Sequence, residues 1–329
     1  MRLTLAGLLL AATASLLPAQ RPTSASSAVR ASGLDTAFIK VPSWRFVGPD
    51  GNRVIAVAGV PGEYKTYYAG AASGGLFKST NGGIRWTPVT DSLRVASVSA
   101  IAVAPSDPNV VWFGTGETFL RSNVSIGDGI YRSTDAGQHW ARMGLENTGR
   151  IGRVLIHPTN ADIVYAAAQG HGYGPQADRG LWRTMDGGTT WKKVLFVNDS
   201  TGIIDVVMDP TNPRVLFAAS WQQYIVPWNK HSGGNGSGIW MSRDGGDSWA
   251  RLGATADGQG WGKGLPKTGT MGKIGLGVSR SGRFASVTNY RGGHNPNAAR
   301  SRGALVSEFL LEDRPARKYI AGIDAAGYS

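Results

Sequence analysis

The chain has 329 residues, a formal net charge of +12 and no cysteine. This length allows one large β domain or two small ones, and the lack of cysteine excludes a disulfide-stapled ectodomain. The 34 basic residues form no cluster on any one predicted element. The charge is therefore interpreted as solvated surface, and no nucleic-acid partner is predicted.

Residues 1–20 predict an export signal, and residues 21–40 a flexible lead-in. Arg2 precedes an apolar stretch from Leu3 to Leu17, which has the shape of a secretory signal peptide. A membrane anchor needs about 20 apolar residues, whereas this stretch is shorter and ends at Pro18. We therefore predict a secreted or periplasmic bacterial protein with no integral membrane segment after cleavage.

One short motif occurs four times. It reads Ser or Thr, then Asp or Asn two residues on, Gly two further and Trp three after that, and its copies end at Trp86, Trp140, Trp191 and Trp249. Such self-similarity at a period near fifty residues indicates a repeat array. Gly and Asp or Asn at these places are typical of a tight turn, so the Asp residues are interpreted as turn chemistry and not as catalysts.

Each motif follows a short alternating strand, and a second hairpin with a Pro/Asn/Asp turn lies upstream of it in the later repeats. Two hairpins give four antiparallel strands, which is the content of one propeller blade. We therefore predict an all-β fold, a β-propeller of four-stranded blades. The predicted blades are Trp44–Val89, Val95–Met143, Ile151–Phe196 and Ile203–Leu252.

A fifth blade begins at Ile274–Val278, and then the pattern stops. Residues 41–281 are thus predicted to hold four blades and a partial fifth. Residues 282–329 contain no copy of the motif and are predicted to be a divergent basic tail, disordered or frame-shifted. Since a circular propeller needs its last blade to meet its first, this array is expected to be incomplete, with two exposed edges.

The hairpin motif resembles the Asp-box, or BNR repeat, of sialidases, xyloglucanase-type glycosidases and the sortilin receptor family. Phe46–Pro49, and Gly114–Glu117 through Ser125–Gly129, are similar to bacterial secreted proteins with a sortilin N-terminal domain that are catalogued as BNR glycosyl hydrolases. The resemblance covers residues 41–281 and implies a propeller. Because members of that family continue with further blades, the chain looks like an N-terminal fragment.

The loops between the second and third strands are expected to form one rim, opposite the turn motifs. They lengthen from Ala71–Ser73 in blade one to residues 117–125, 171–179 and 221–231 in the later blades. Aromatic side chains on such loops would suit stacking on a sugar or gripping a peptide; alternatively, they pack their own loops. The candidate ligand-binding residues are Glu117, Arg121, His171, Tyr173, Trp221, Tyr224 and Trp228.

Two functions remain open. The first is an exported binding module that recognises a polysaccharide or an extracellular polypeptide through its rim, and a fragment that works only beside further blades is a variant of it. The alternative is a glycoside hydrolase-like enzyme, with Glu117 as the first carboxylate to test. Hydrolysis would need two carboxylates about 5 to 9.5 Å apart, and the sequence does not show which would converge.

Known catalytic patterns of the resembling families are not found. Aligning the xyloglucanase-type motif on Gly74-Gly75 puts Ala72 where those enzymes carry a catalytic Asp, and Arg45 lacks the Arg-Ile-Pro context of sialidases. The five histidines show no metal-ligand spacing. We therefore predict no metal and no cofactor.

Overall fold

The computed structural model describes residues 48–49, 53–121, 123–252, 270–278, 283–291 and 303–310. All of them fall within one compact unit, Val47–Ser329. Their regular structure is β-strand, apart from one turn of 3-10 helix at Glu146–Thr148. The predicted signal peptide and lead-in lie outside the described residues. No helix in the described ranges is long and apolar enough to cross a membrane.

Four sheets repeat along the chain, and in each of them neighbouring strands are antiparallel and follow one another in sequence. The predicted all-β propeller blades are thereby confirmed. Blades one and two consist of β1 (Val54–Gly59), β2 (Tyr67–Ala71), β3 (Leu76–Ser79), β4 (Thr87–Pro88), β5 (Val98–Ala104), β6 (Asp107–Thr115), β7 (Ile130–Ser133) and β8 (Ala141–Arg142).

Blades three and four follow the same plan, except that a short hairpin extends blade four. That hairpin is formed by β15, which pairs only with the end of β14. The strands are β9 (Ile151–Ile156), β10 (Val164–Ala168), β11 (Gly180–Thr184), β12 (Lys192–Leu195), β13 (Thr201–Met208), β14 (Leu216–Val226), β15 (Asn229–Ser232), β16 (Gly238–Ser242) and β17 (Ala250–Leu252).

A three-stranded antiparallel sheet comes after blade four. It consists of β18 (Thr270–Val278), β19 (Arg283–Arg291) and β20 (Gly303–Leu310). Its first strand contains the predicted start of a fifth blade, Ile274–Val278. Its other two strands lie within residues 282–329, where the sequence predicts a disordered or frame-shifted tail, so for these two stretches strand replaces the predicted disorder.

The hydrophobic core lies between successive sheets. Separate clusters of buried side chains join blades one and two, two and three, three and four, and blade four with β18. Glycine permits the close approach: a Cβ at Gly70 would lie 2.5 Å from the carbonyl oxygen of Val98, and one at Gly114 would lie 2.4 Å from Ile151 Cγ2. The second strand of one blade thus packs directly against the first strand of the next.

The repeated turn is held by one hydroxyl and one carboxylate or amide. In blade two the Ser133 hydroxyl donates to Asp135 Oδ1 at 2.7 Å and accepts from the Gly137 amide at 2.8 Å. Asp135 Oδ1 also accepts from the amides of Gln138 and His139, both at 2.9 Å. The other three copies repeat the hydroxyl bonds. The predicted turn role of these Asp and Asn residues is confirmed.

These hydrogen bonds stabilise the ionised carboxylates. The pKa of Asp135 is well below its usual range because of the His139 amide, and side-chain hydrogen bonds from Thr190 and Ser248 lower those of Asp186, to about 2, and Asp244. Blade one carries Asn81 at this place and has no such charge.

We expect the three carboxylates to make stability fall in acid. Because their folded pKa values are depressed, their contribution is present above the unfolded value of about 3.9 and is lost as the pH falls towards about 2. Replacing Asp135, Asp186 and Asp244 with Asn, as in blade one, should flatten the pH dependence in that window. Urea unfolding at several pH values measures this, and an unchanged acid slope in the triple variant would contradict it.

Each of the first three blades holds the turn of the next blade through a basic side chain on its third strand. Lys78 Nζ donates to the Ala136 carbonyl at 2.7 Å. Arg132 Nη1 donates to the Gly187 carbonyl at 3.1 Å, and Arg183 Nη1 to the Gly245 carbonyl at 2.7 Å. The three acceptors occupy the same place in the turn motif.

An aromatic residue on the second strand completes this contact, which we call the interblade clamp. The hydroxyls of Tyr68 and Tyr165 donate to the Ala136 and Gly245 carbonyls at 2.8 and 2.7 Å. Trp112 takes the same place in blade two, and a Cβ at Gly188 would lie 2.8 Å from its ring. The clamp therefore joins each turn to the preceding blade by polar and apolar contact together.

Breaking one clamp should loosen the array. Arg183→Met removes charge-assisted hydrogen bonds to the Gly245 carbonyl and to Asp247 from a largely buried side chain. We expect the free energy of unfolding to fall by about 1.5–3 kcal/mol. Arg85→Met, at an exposed arginine in the turn of blade one, is the matched control and should stay near wild type. Equal losses in the two variants, measured by denaturant unfolding, would argue against the clamp.

Candidate functional site

The loops opposite the turn motifs, with the β14–β15 hairpin of blade four, form a surface here called the loop rim: residues 116–121, 123–129, 169–179 and 222–237. Backbone hydrogen bonds tie these loops to each other and to the links between blades. The Gly127 amide donates to the Gly149 carbonyl, and the Gln176 amide to the Asp199 carbonyl. The Ile225 amide donates to the Gly172 carbonyl at 2.8 Å, which joins the loops of blades three and four.

Glu117 is buried, at 1% exposure, and lies between two arginines. Its Oε1 is 2.5 Å from Arg53 Nη2 and 2.9 Å from Arg121 Nε, and its Oε2 accepts from Arg121 Nη2 at 3.3 Å. Both carboxylate oxygens are thus engaged by guanidinium groups. Glu117 and Arg121, both predicted as ligand-binding residues, form an ion pair with each other, and the contact with Arg53 anchors the loop of blade two to blade one.

The blade-three loop is wound around Arg179, which sequence reasoning missed. This side chain is fully buried, and its guanidinium donates to the carbonyls of Gln169, His171 and Gly174 at 2.8–3.1 Å. Burial lowers its pKa to about 10. Arg179 thereby fixes the backbone at His171, whose amide also donates to Gln176 Oε1 at 2.8 Å. No local pattern distinguishes Arg179 from a surface arginine.

Trp221 is not available to a ligand, so its predicted place among the rim residues is wrong. The sequence predicts a loop from 221 to 231, but strand β14 continues to Val226. Trp221 is 2% exposed, packs in the cluster between blade four and β18, and donates its Nε1 hydrogen to Ser232. It faces the core because side chains alternate along a strand.

The remaining aromatic candidates are exposed on the rim. Trp228 lies at the two-residue tip of the β14–β15 hairpin and is 85% exposed. Tyr224 stacks on His231, with ring centroids 4.1 Å apart. Tyr173 is exposed beside Gly172, and Gly172 is bonded to Ile225 next to Tyr224. We call Tyr173, Tyr224 and Trp228 the aromatic rim.

Buried polar side chains lie behind the rim. Arg150 is fully buried, its Nε donates to the Gly170 carbonyl at 2.7 Å, and burial together with the charge of Arg179 lowers its pKa to about 10. The amide groups of Gln169 and Gln223 are also fully buried and find no protein partner within the described residues. Within the same ranges, no group of three acidic, His or Cys side chains could hold a metal ion.

Comparison with known proteins shows which families the repeats are similar to. A family model described as "Sortilin, neurotensin receptor 3" matches residues 128–277. A xyloglucanase of Paenibacillus is 28% identical over 242 residues, which cover 64% of this chain and 22% of the relative. A xyloglucanase of Acetivibrio thermocellus is 30% identical over 210 residues, or 55% and 23%. The chain therefore spans less than a quarter of these relatives.

Solved structures show the same fold. An ancestral GH74 enzyme superposes with a TM-score of 0.58 at 18% identity, covering 82% of this chain and 33% of that one. The GH74 xyloglucanase of Xanthomonas campestris gives a TM-score of 0.55 at 20% identity, covering 82% and 38%. The four blades share the β-propeller fold of these structures. The resemblance predicted from the turn motif is thereby confirmed.

A second family model, described as "Transport and Golgi organisation 2", matches residues 269–327. This range contains β18, β19 and β20. The two matches overlap at residues 269–277, which include most of β18, so β19 and β20 lie within the second match alone.

If Glu117 is a loop anchor, its replacement should cost stability. Glu117→Gln removes the charge that engages Arg53 and Arg121, and we expect the free energy of unfolding to fall by about 1.5–3 kcal/mol. Glu146→Gln is the control. Glu146 is half exposed, and its ion pair with Arg142 is long, at 3.6 Å, so its loss should change stability little. Thermal or urea unfolding compares the two. If Glu117→Gln is as stable as the control, Glu117 is not a loop anchor, and it becomes a candidate functional carboxylate again.

Proposed function

We propose that this protein is a glycosidase-type propeller directed at a polysaccharide of the xyloglucan class, and that the described blades contribute its substrate-binding rim. The observation that carries the proposal is the identity of 28–30% with xyloglucanases over 210–242 residues, most of the blade region. Of the two functions left open by the sequence, this favours the glycosidase-type one over a binding module without chemistry.

The aromatic rim suits such a ligand. The flat face of a glucan backbone presents C–H groups that pack on aromatic rings. The hydroxyl groups at the edge of each sugar stay available for hydrogen bonds to the protein. Trp228 is exposed at a hairpin tip, Tyr224 is held flat against His231, and Tyr173 projects from the neighbouring loop. Three aromatic side chains on two joined loops could follow successive sugar units.

Bond cleavage is not assigned to the described residues. A glycosidase needs a carboxyl that donates a proton and a second carboxylate across the scissile bond. Glu117 is engaged by two arginines, and Ala72 stands where the xyloglucanase-type motif has its catalytic Asp. The proposal therefore assigns recognition of the polysaccharide to these blades and the acid–base pair to residues outside those described.

The proposed substrate lies outside cells, and export would bring the protein to it. The predicted signal at residues 1–20 supports this localisation. Extracellular polypeptides remain a second class of partner for the same rim, and the binding experiment below includes them as an outcome.

The proposal predicts that the aromatic rim carries the affinity for glucan. With xyloglucan oligosaccharides in calorimetric titration, Trp228→Ala and Tyr224→Ala should each weaken binding about tenfold, the equivalent of one stacking contact of about 1.4 kcal/mol. Tyr64→Ala is the matched control, since Tyr64 is 78% exposed, close to the 85% of Trp228, but lies in the β1–β2 turn, away from the rim. Release of reducing ends from xyloglucan is measured in parallel.

Two results would overturn the proposal. The first is wild-type protein that neither binds nor hydrolyses any glucan; binding of unstructured polypeptide instead would support the second class of partner. The second is binding that Tyr64→Ala weakens as much as the rim variants do. Binding without hydrolysis would support the rim but contradict the glycosidase-type part of the proposal for this chain, and would favour a binding module.

A further inference from the structure

The interblade clamp is present in blades one to three and absent from blade four. Aligned on the strands, the aromatic residues are Tyr68, Trp112 and Tyr165 in the first three blades, and the fourth carries Phe217. On the third strands, the basic residues Lys78, Arg132 and Arg183 of the first three blades are replaced by Met241 in blade four. Blade four has thus lost both donors, the hydroxyl and the cation, that would engage a turn carbonyl of a following blade.

An apolar contact replaces them. Phe217 and Met241 are both buried in one cluster with Ile274 of β18, and Met271, Leu276 and Val278 pack against it. A methionine adapts to such an irregular apolar neighbour, whereas a guanidinium buried there would lack an acceptor. The face of blade four that points to the next sheet is therefore matched to the strand that lies on it.

A polar contact fixes the register of that strand. Asp205 Oδ2 on β13 accepts from the Leu276 amide at 2.9 Å, and Arg153 Nε lies 3.6 Å from Asp205 Oδ1. Lys273 Nζ lies 5.8 Å from the ring of Trp221. Contacts at both ends of the apolar cluster thus hold β18 on blade four.

The sequence of the following sheet agrees with this change. No tryptophan follows Trp261, so residues 262–329, including the stretch after β20 where blades one to four carry the turn motif, contain no copy of it. The second family match, 269–327, covers this sheet, and the sortilin match ends at residue 277, near the end of β18. The donor side and the acceptor side of the clamp therefore disappear at the same boundary.

We propose that blade four ends the turn-motif array, and that its outgoing face, centred on Phe217 and Met241, is a docking surface for the β18–β20 sheet and excludes a further turn-motif blade. The sheet then acts as a cap on the array, as terminal repeats do in other repeat proteins. This inference does not depend on the proposed activity.

Hydrogen exchange on the full chain tests the docking surface. Met241→Arg restores the basic residue of blades one to three; we expect amide exchange in β18 to become at least tenfold faster, with a lower melting temperature. Met241→Leu keeps an apolar side chain of similar volume and should leave both unchanged. Arg183→Met, at the equivalent place in blade three, should lower the melting temperature without selective loss of protection in β18.

Phe217→Tyr is a milder second variant in case Met241→Arg does not fold. Its added hydroxyl would be buried without a turn carbonyl, and we expect the melting temperature to fall by about 2–4 °C. A Met241→Arg or Phe217→Tyr protein that is as stable as wild type, or more stable, with unchanged exchange in β18 would overturn the proposal, because the face would then accept the clamp of an ordinary blade.

Discussion

The structure depends on one carbonyl group per repeat. Within its own blade, the Ser or Thr hydroxyl and the Asp carboxylate hold the turn backbone in a single conformation, as Ser133 and Asp135 do in blade two. That conformation points the Ala136 carbonyl at the preceding blade, where Tyr68 and Lys78 donate to it. The same short motif therefore closes a hairpin and joins two sheets. This dual role explains why the motif returns once per blade in spite of loops of very different length.

Because the strands form a rigid array, the loops can differ in length and sequence. Their side chains are of two kinds, buried anchors and exposed aromatic residues. Glu117 and Arg179 are buried: Glu117 engages Arg53 of blade one and Arg121 of its own loop, and Arg179 donates to backbone carbonyls of its own loop. Tyr173, Tyr224 and Trp228 project from the scaffold that these anchors hold. Exposed aromatic side chains on fixed loops agree with the proposed recognition of a polysaccharide.

Blade four differs chemically from the first three blades on the face that points to the next sheet. Three blades present a hydroxyl or indole and a cation to the next turn, and the fourth presents Phe217 and Met241 to β18. Since a buried cation without an acceptor is strongly unfavourable, the exchange of Arg for Met is what an apolar neighbour requires. The second family match begins at residue 269, just before β18, although the sortilin match extends to residue 277.

Spacing and turn chemistry were enough to predict the blades, because the turn motif and the alternating strands beside it are local features that any hairpin of this type needs. The exposure of individual rim residues was decided by the tertiary structure. Trp221 reads as a loop aromatic like Trp228, yet β14 extends for 11 residues and turns Trp221 into the core against β18, while Trp228 stays at the hairpin tip. Glu117 reads as a free carboxylate, but Arg53, 64 residues away, lies against it. Strand register and contacts between distant residues determine these outcomes, and neither leaves a periodic signal in the sequence.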